Sequence, residues 1–287
     1  MKKYWHGFTL IEVAIFLAVT GALFVAVTAG VQNSIFQQRY NDSTQSFIEF
    51  LRTIYSETMN VQSANKGNSN QAIYGKLVTF GESEDLSGDK INDGVGKHVI
   101  FAYDVVGNAK ADIGTGSIKD LLKDIGATIV VSSGGDNPEV IPAGIVDTYT
   151  PKWAAEIQPQ CKTATDCEDA YEAYKGALLI IRHPRSGTVY TFTSSEALDV
   201  NKAVREANEA HIGLTEIGAA LMSANVLGVE GVLDGFVTQD VDFCVNPNGH
   251  EPSGSRTDVR IPAGARNSSA IEIFAGSRDE GNLCVRK

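Results

Sequence analysis

One carboxylate and four thiols are the side chains of this 287-residue chain whose type and position call for a chemical account. Glu12 is an acid just inside an apolar segment: Val13 to Val31 carries no charge, and Lys2 and Lys3 precede it. A carboxylate in such a segment costs up to a few kcal/mol on insertion into lipid, less near the segment's end, and residues of this kind are usually functional. The plain alternative is a side chain that reaches the headgroup region. Cys161, Cys167, Cys244 and Cys284 all lie beyond the segment. Three pairings are open to them, and spacing favours a local Cys161–Cys167 loop with a Cys244–Cys284 bridge closing the C-terminal part. Free thiols or a metal site are the alternative. Against it, the chain has no CxxC pair, and His98, His183, His211 and His250 do not stand at ligand spacing to a cysteine.

Other chemistries are poorly served. A nucleophilic hydrolase needs a serine or cysteine with a base and an orienting carboxylate, and no G-x-S-x-G elbow occurs. Gly114-Thr115-Gly116-Ser117 and Gly134-Gly135 lack the spacing and the lysine of a phosphate cradle, so both read as turns. Asp85, Ser87, Asp89, Asn92 and Asp93 suggest a calcium loop, but Lys90 stands where such a loop needs glycine and Gly96 where it needs a closing glutamate. No catalytic residue, metal or cofactor is expected. An enzyme exported through an ordinary signal is the least favoured reading.

The element that must position Glu12 is the apolar run itself. Residues 8–31 would make a helix of roughly 36 Å, enough to cross a bilayer core of about 30 Å. An ordinary secretory signal would show the same two lysines and apolar region, and Val27-Thr28-Ala29 before Gly30 would serve as its cleavage site. Glu12 argues against it. The run Gly7-Phe8-Thr9-Leu10-Ile11-Glu12-Val13 resembles the cleavage and methylation motif of type IV prepilins and type II secretion pseudopilins. The resemblance implies that a prepilin peptidase cuts between Gly7 and Phe8 and that Phe8 is then N-methylated. In a bundle of such helices, the Phe8 ammonium of one subunit and the Glu12 carboxylate of a neighbour would neutralise each other where neither charge is tolerable alone. Glu12 would then set the register of assembly.

Beyond Val31 the helical pattern turns amphipathic. Ile35, Phe36, Tyr40, Phe47, Leu51, Ile54, Tyr55 and Met59 recur at three- and four-residue steps with charged and amide residues between them. One helix is expected over 8–60, roughly 80 Å long, with 8–31 as membrane or filament core and 32–60 packing on a head. Gly21 and Gly30 are its weak points. In the head, 61–287, strands are expected at 73–80, 98–106, 128–132, 236–245, 257–261, 270–275 and 283–286. A hairpin is expected from 177–182 and 188–193. Short helices are expected at 117–125, at 165–175 and from Thr193 to His211 behind capping-box patterns, and at 215–225. Residues 134–159, with four of the eight prolines, read as irregular.

The net charge of -11 disfavours a general nucleic-acid surface. Only residues 256–287 are basic on balance, six cations against four anions. Phe243-Cys244-Val245, Ala270-Ile271-Glu272-Ile273-Phe274 and Cys284-Val285-Arg286-Lys287 look like the terminal strands of H-type pseudopilins and related minor pilins. Some such minor pilins bind DNA through arginines near the C-terminus. Arg278, Arg286 and Lys287 stand in roughly that place, where phosphate contact would be salt-sensitive. Balancing the acidic bulk or lining a subunit contact is the preferred account of these cations.

The sequence therefore predicts an α+β fold, pilin-like, with a long N-terminal helix packed on an antiparallel β-sheet head and extra helices inserted in that head. Residues 1–7 would be a leader with lysines on the cytoplasmic side, and the head would lie outside, where disulfides persist. The resemblance implies a structural subunit, minor or tip, of a type IV pilus or pseudopilus. Its partners would be the prepilin peptidase, the inner-membrane assembly machinery and other pilin subunits. The alternative is a pilus-carried binding module, an adhesin-like head or a DNA receptor.

Overall fold

The computed structural model describes residues 9–60, 71–80, 99–110, 121–122, 124–129, 146–158, 174, 176–194, 237–246, 256–275 and 284. Its first element is α1, Leu10–Met59, and the chain divides into two units, Met1–Asp42 and Ser43–Lys287. The helix runs unbroken through Gly21 and Gly30, where a Cβ would meet nothing within 4 Å apart from the helix's own backbone. A helical glycine costs about 1 kcal/mol against alanine. Orphaning the backbone groups of an apolar segment would cost several kcal/mol in lipid, so the ladder persists.

In the second unit, α1 buries Ser43, Thr44, Phe47, Ile48, Leu51, Ile54, Tyr55 and Thr58. These positions follow the helical period and make one face. Ile35 and Met59, expected in the same stripe, are 41% and 38% exposed. The packed face therefore begins at Ser43, and two small hydroxyl residues open it.

Among the described residues after α1, β strands predominate, and every pairing between them is antiparallel. The larger sheet takes β1 (Gln71–Phe80), β2 (Ile100–Asn108), β3 (Thr128–Ile129), β4 (Val146–Tyr149), β6 (Gly176–Arg182) and β7 (Val189–Ser194). Its order is β3-β2-β1-β6-β7, with β4 also paired to β2. The smaller sheet runs β10-β9-β8-β5 from β5 (Glu156–Gln158), β8 (Val241–Asn246), β9 (Thr257–Ile261) and β10 (Glu272–Phe274). An α+β architecture with one long N-terminal helix and antiparallel sheets is thus present.

Phe243 on β8 is the junction of the core. Its ring meets Phe47 of α1 edge-on at 5.6 Å, stacks on Phe80 of β1 at 4.9 Å and meets Tyr174 at 4.9 Å. Fully burying side chains of this size contributes about 1.5–3 kcal/mol each, and offset or edge-on ring pairs add to that. Helix and both sheets share this one apolar centre.

A second tie is polar. Thr191 on β7 donates its only hydroxyl hydrogen to Ala265 O at 2.7 Å, so the Tyr55 hydroxyl of α1, 2.8 Å from Thr191 Oγ1, must donate to it. Burial pushes the Tyr55 phenol up to about 12.

Several expectations need correction. Residues 134–159 contain β4, a one-turn 3-10 helix at Lys152–Ala154 and β5. Strands of three or four residues carry no readable alternation, and their pairing to β2 and β8 is non-local. Thr193 does not open a helix: it lies in β7 and exchanges both backbone hydrogen bonds with Val237. The strand expected at 236–245 begins at Val241, and Val237 makes a separate bridge. A 3-10 turn at Ser268–Ala270 precedes β10. Leu121, Leu122 and Asp124 are helical, in keeping with a short helix there. The helices expected at 165–175 and 215–225, and the rest of the one from Thr193, lie outside the described residues.

Candidate functional site

The first turn of α1 is built by a sequence pattern of its own. Thr9 precedes the helix, and its carbonyl accepts the first helical bond, from Val13 N at 3.2 Å. Its hydroxyl oxygen accepts from Glu12 N at 3.3 Å, while Glu12 Oε2 accepts from Thr9 N and from Thr9 Oγ1, both at 2.9 Å. This is a reciprocal capping box, with Thr9 as cap and Glu12 three residues on. Thr-Leu-Ile-Glu carries the pattern openly. The charge of Glu12 beside an apolar run hides its second role as a backbone acceptor three residues after Thr9.

Both roles are chemically compatible. The box uses Oε2 only, and Glu12 Oε1 has no hydrogen bond among the described residues. A carboxylate near the positive end of a helix is also favoured by the helix dipole. Gly7 and Phe8, the proposed cleavage pair, lie outside the described residues.

Above the cap, α1 presents apolar surface on every side. Leu10, Ile11, Phe16, Leu17, Phe24, Val25 and Val27 are each at least 60% exposed, as is Leu23. Thr20 and Thr28, the hydroxyl residues within this span, donate to the carbonyls of Phe16 and Phe24 one turn back, at 2.8 and 2.9 Å. Their polarity is satisfied inside the helix, so the surface can meet lipid or another helix without an orphan group. Ala14, Ala18, Ala22, Ala26 and Gly30 recur at intervals of four and are exposed. Small residues so spaced let helices approach closely. The helix is long and apolar enough to span a membrane.

The thiols are partly placed. Cys244 on β8 is bonded to Cys284, with Cα atoms 5.4 Å apart and a sequence separation of 40. Cys161 and Cys167 lie outside the described residues, as do Arg278, Arg286 and Lys287. Of the tail's other cations, Arg260 is committed: Asp242 takes its Nε–H, Asp258 lies 3.4 Å from its other end, and Phe274 lies under it at 4.7 Å. Cross-strand register places Asp242 directly opposite Arg260. Arg260 is therefore not available as a phosphate contact.

One charge cluster escaped sequence reading. Lys76 Nζ on β1 lies 2.7 Å from Asp147 of β4, 2.9 Å from Asp104 of β2 and 3.0 Å from Glu57 of α1. The Asp147 contact is a directed hydrogen bond, and the other two are ion pairs without that alignment. Its members come from four elements with one lysine at the centre, which marks a structural tie. No group of three or more metal-ligating side chains among the described residues suits a metal ion.

Comparison with family models, with curated proteins and with solved structures gave no match.

Proposed function

We propose that this chain is a pilin-like structural subunit, minor or tip, made as a membrane precursor and assembled through α1 into a type IV pilus or pseudopilus. One observation carries the reading: a capped helix that places one acid, Glu12, in its first turn, carries no other charge as far as Gln38, and exposes large apolar side chains from Leu10 to Ile35. A surface that apolar has a partner, either lipid or protein. The resemblance of residues 7–13 to the prepilin motif supplies the sequence of events: cleavage after Gly7, methylation of Phe8, then extraction into a filament.

Glu12 has a defined place in that scheme. Its Oε2 holds its own helix start, which leaves Oε1 for the ammonium of a neighbouring Phe8. Below Asp42 the surface serves assembly, whereas the face from Ser43 to Thr58 holds the head, in the manner of pilin-like packing.

Mass analysis of the mature N-terminal peptide tests the first half, with N-methylated Phe8 expected and an N-terminus at Gly30 overturning it. For the second half, Thr9→Ala and Glu12→Ala are compared in filament assembly. Both lose the cap, worth about 1 kcal/mol, but only Glu12→Ala loses the countercharge. Far weaker assembly in Glu12→Ala than in Thr9→Ala is expected, with processing intact in both, and equal defects would reduce Glu12 to a cap.

A further inference from the structure

We infer that Asn267 is an acceptor for an N-linked glycan. The chain contains the Asn-x-Ser/Thr pattern twice, at Asn41-Asp42-Ser43 and at Asn267-Ser268-Ser269. The two are in opposite structural states. Asn267 lies in the turn between β9 and β10, is exposed, and has extended backbone at φ -158° and ψ 171°. Its Oδ1 accepts from Ser269 N at 3.0 Å and from Ser269 Oγ at 2.7 Å. Its Nδ2 makes no hydrogen bond among the described residues, and the residue is exposed. Asn41 instead sits inside the continuous helix α1, and the Ser43 of its pattern is 1% exposed. A helix interior cannot fold the side chain back onto the residue two places on, nor admit an enzyme to a buried serine.

The turn at Asn267 also bears on reactivity. A carboxamide nitrogen is a poor nucleophile because its lone pair is delocalised onto oxygen. Two donors on Oδ1 stabilise the negative oxygen that develops when Nδ2 loses a proton. In the transfer, Nδ2 forms a bond to the anomeric carbon of a polyprenyl-phosphate-linked sugar while that carbon's bond to the phosphate oxygen breaks. The electron pair leaves with the phosphate, and the Nδ2 proton passes to a base of the membrane transferase. Location is consistent on the reading above, because an exported head meets such a donor outside the cytoplasm.

The test is a peptide map of the mature chain from the cells that make it, with additions located by electron-transfer fragmentation. A hexose-type addition on Asn267, none on Asn41, its loss in Asn267→Gln and Ser269→Ala, and its retention in Ser269→Thr are expected. Bare Asn267 throughout, or modification at Asn41 instead, would overturn the inference. The N-terminal peptide in the same digest separates the two ideas: methylated Phe8 with bare Asn267 sinks only the glycan, and an N-terminus at Gly30 with a modified Asn267 sinks only the pilin reading.

Discussion

Lys76 on β1 stands directly opposite Asp104 on β2, and its ammonium lies 2.9 Å from the Asp104 carboxylate. Asp147 and Glu57 approach the same nitrogen, so one cation joins the larger sheet to α1. Removing it leaves three carboxylates facing one another, of which Asp104 is largely buried. Breaking a buried pair in this way costs about 3–5 kcal/mol, and Lys76→Met should fall near the lower figure because Asp147 is 55% exposed. Urea unfolding of the detergent-solubilised chain measures the loss. A change below about 1 kcal/mol would mean that the cluster is solvated.

Tyr55 and Tyr174 make the head sensitive to alkali. Burial raises both phenols from 10.0 to about 12, with the charge of Asp242 adding to the rise at Tyr174. The unfolded chain releases these protons first, so stability should be level below pH 10 and fall between pH 10 and 12. Lys76 acts in the same direction. Burial alone would push its ammonium below the ordinary 10.5, but Asp104, Asp147 and Glu57 reverse that and hold it above. Its contribution is complete below pH 10.5 and is lost as pH rises through the folded value. Stability profiles of wild type and Tyr55→Phe check this, and the variant should show a shallower alkaline slope.

Gly75 is irreplaceable for a local reason. The pairing of β1 with β2 slips between Ile73 and Gly75, leaving Tyr74 as a bulge. A Cβ on Gly75 would lie 2.0 Å from Ile180 O of β6. That oxygen is backbone within a sheet and cannot turn aside. Gly75→Ala should cost about 3 kcal/mol, at the upper end for overpacking, read as a lowered urea midpoint. A wild-type midpoint would show that β1 and β6 separate easily.

The Cys244–Cys284 bond ties the C-terminal segment to the middle of the smaller sheet. With a sequence separation of 40 between the cysteines, removing the link should cost about 4 kcal/mol on the chain-entropy account. Unfolding of Cys244→Ser with Cys284→Ser, against wild type with and without reductant, measures it. Reductant should bring wild type to the double variant's midpoint, apart from any effect at Cys161 and Cys167.

What could be read in the residues alone was whatever is local or periodic. The apolar run with Glu12, the amphipathic half of α1 and the hairpin of β6 and β7 all express themselves within a few turns or a short loop. Thr9 belonged to that legible set, since a cap and its acid are three residues apart. Tertiary structure alone decided the rest. Lys76 is 19 residues from Glu57, 28 from Asp104 and 71 from Asp147. No period relates those positions, and only the order β4-β2-β1 with α1 across it brings them together. The same holds for β5, three residues long and recognisable only by its pairing to β8, and for the two Asn-x-Ser patterns. Those are alike as strings, and they differ because backbone already spent on a helix cannot also make a turn.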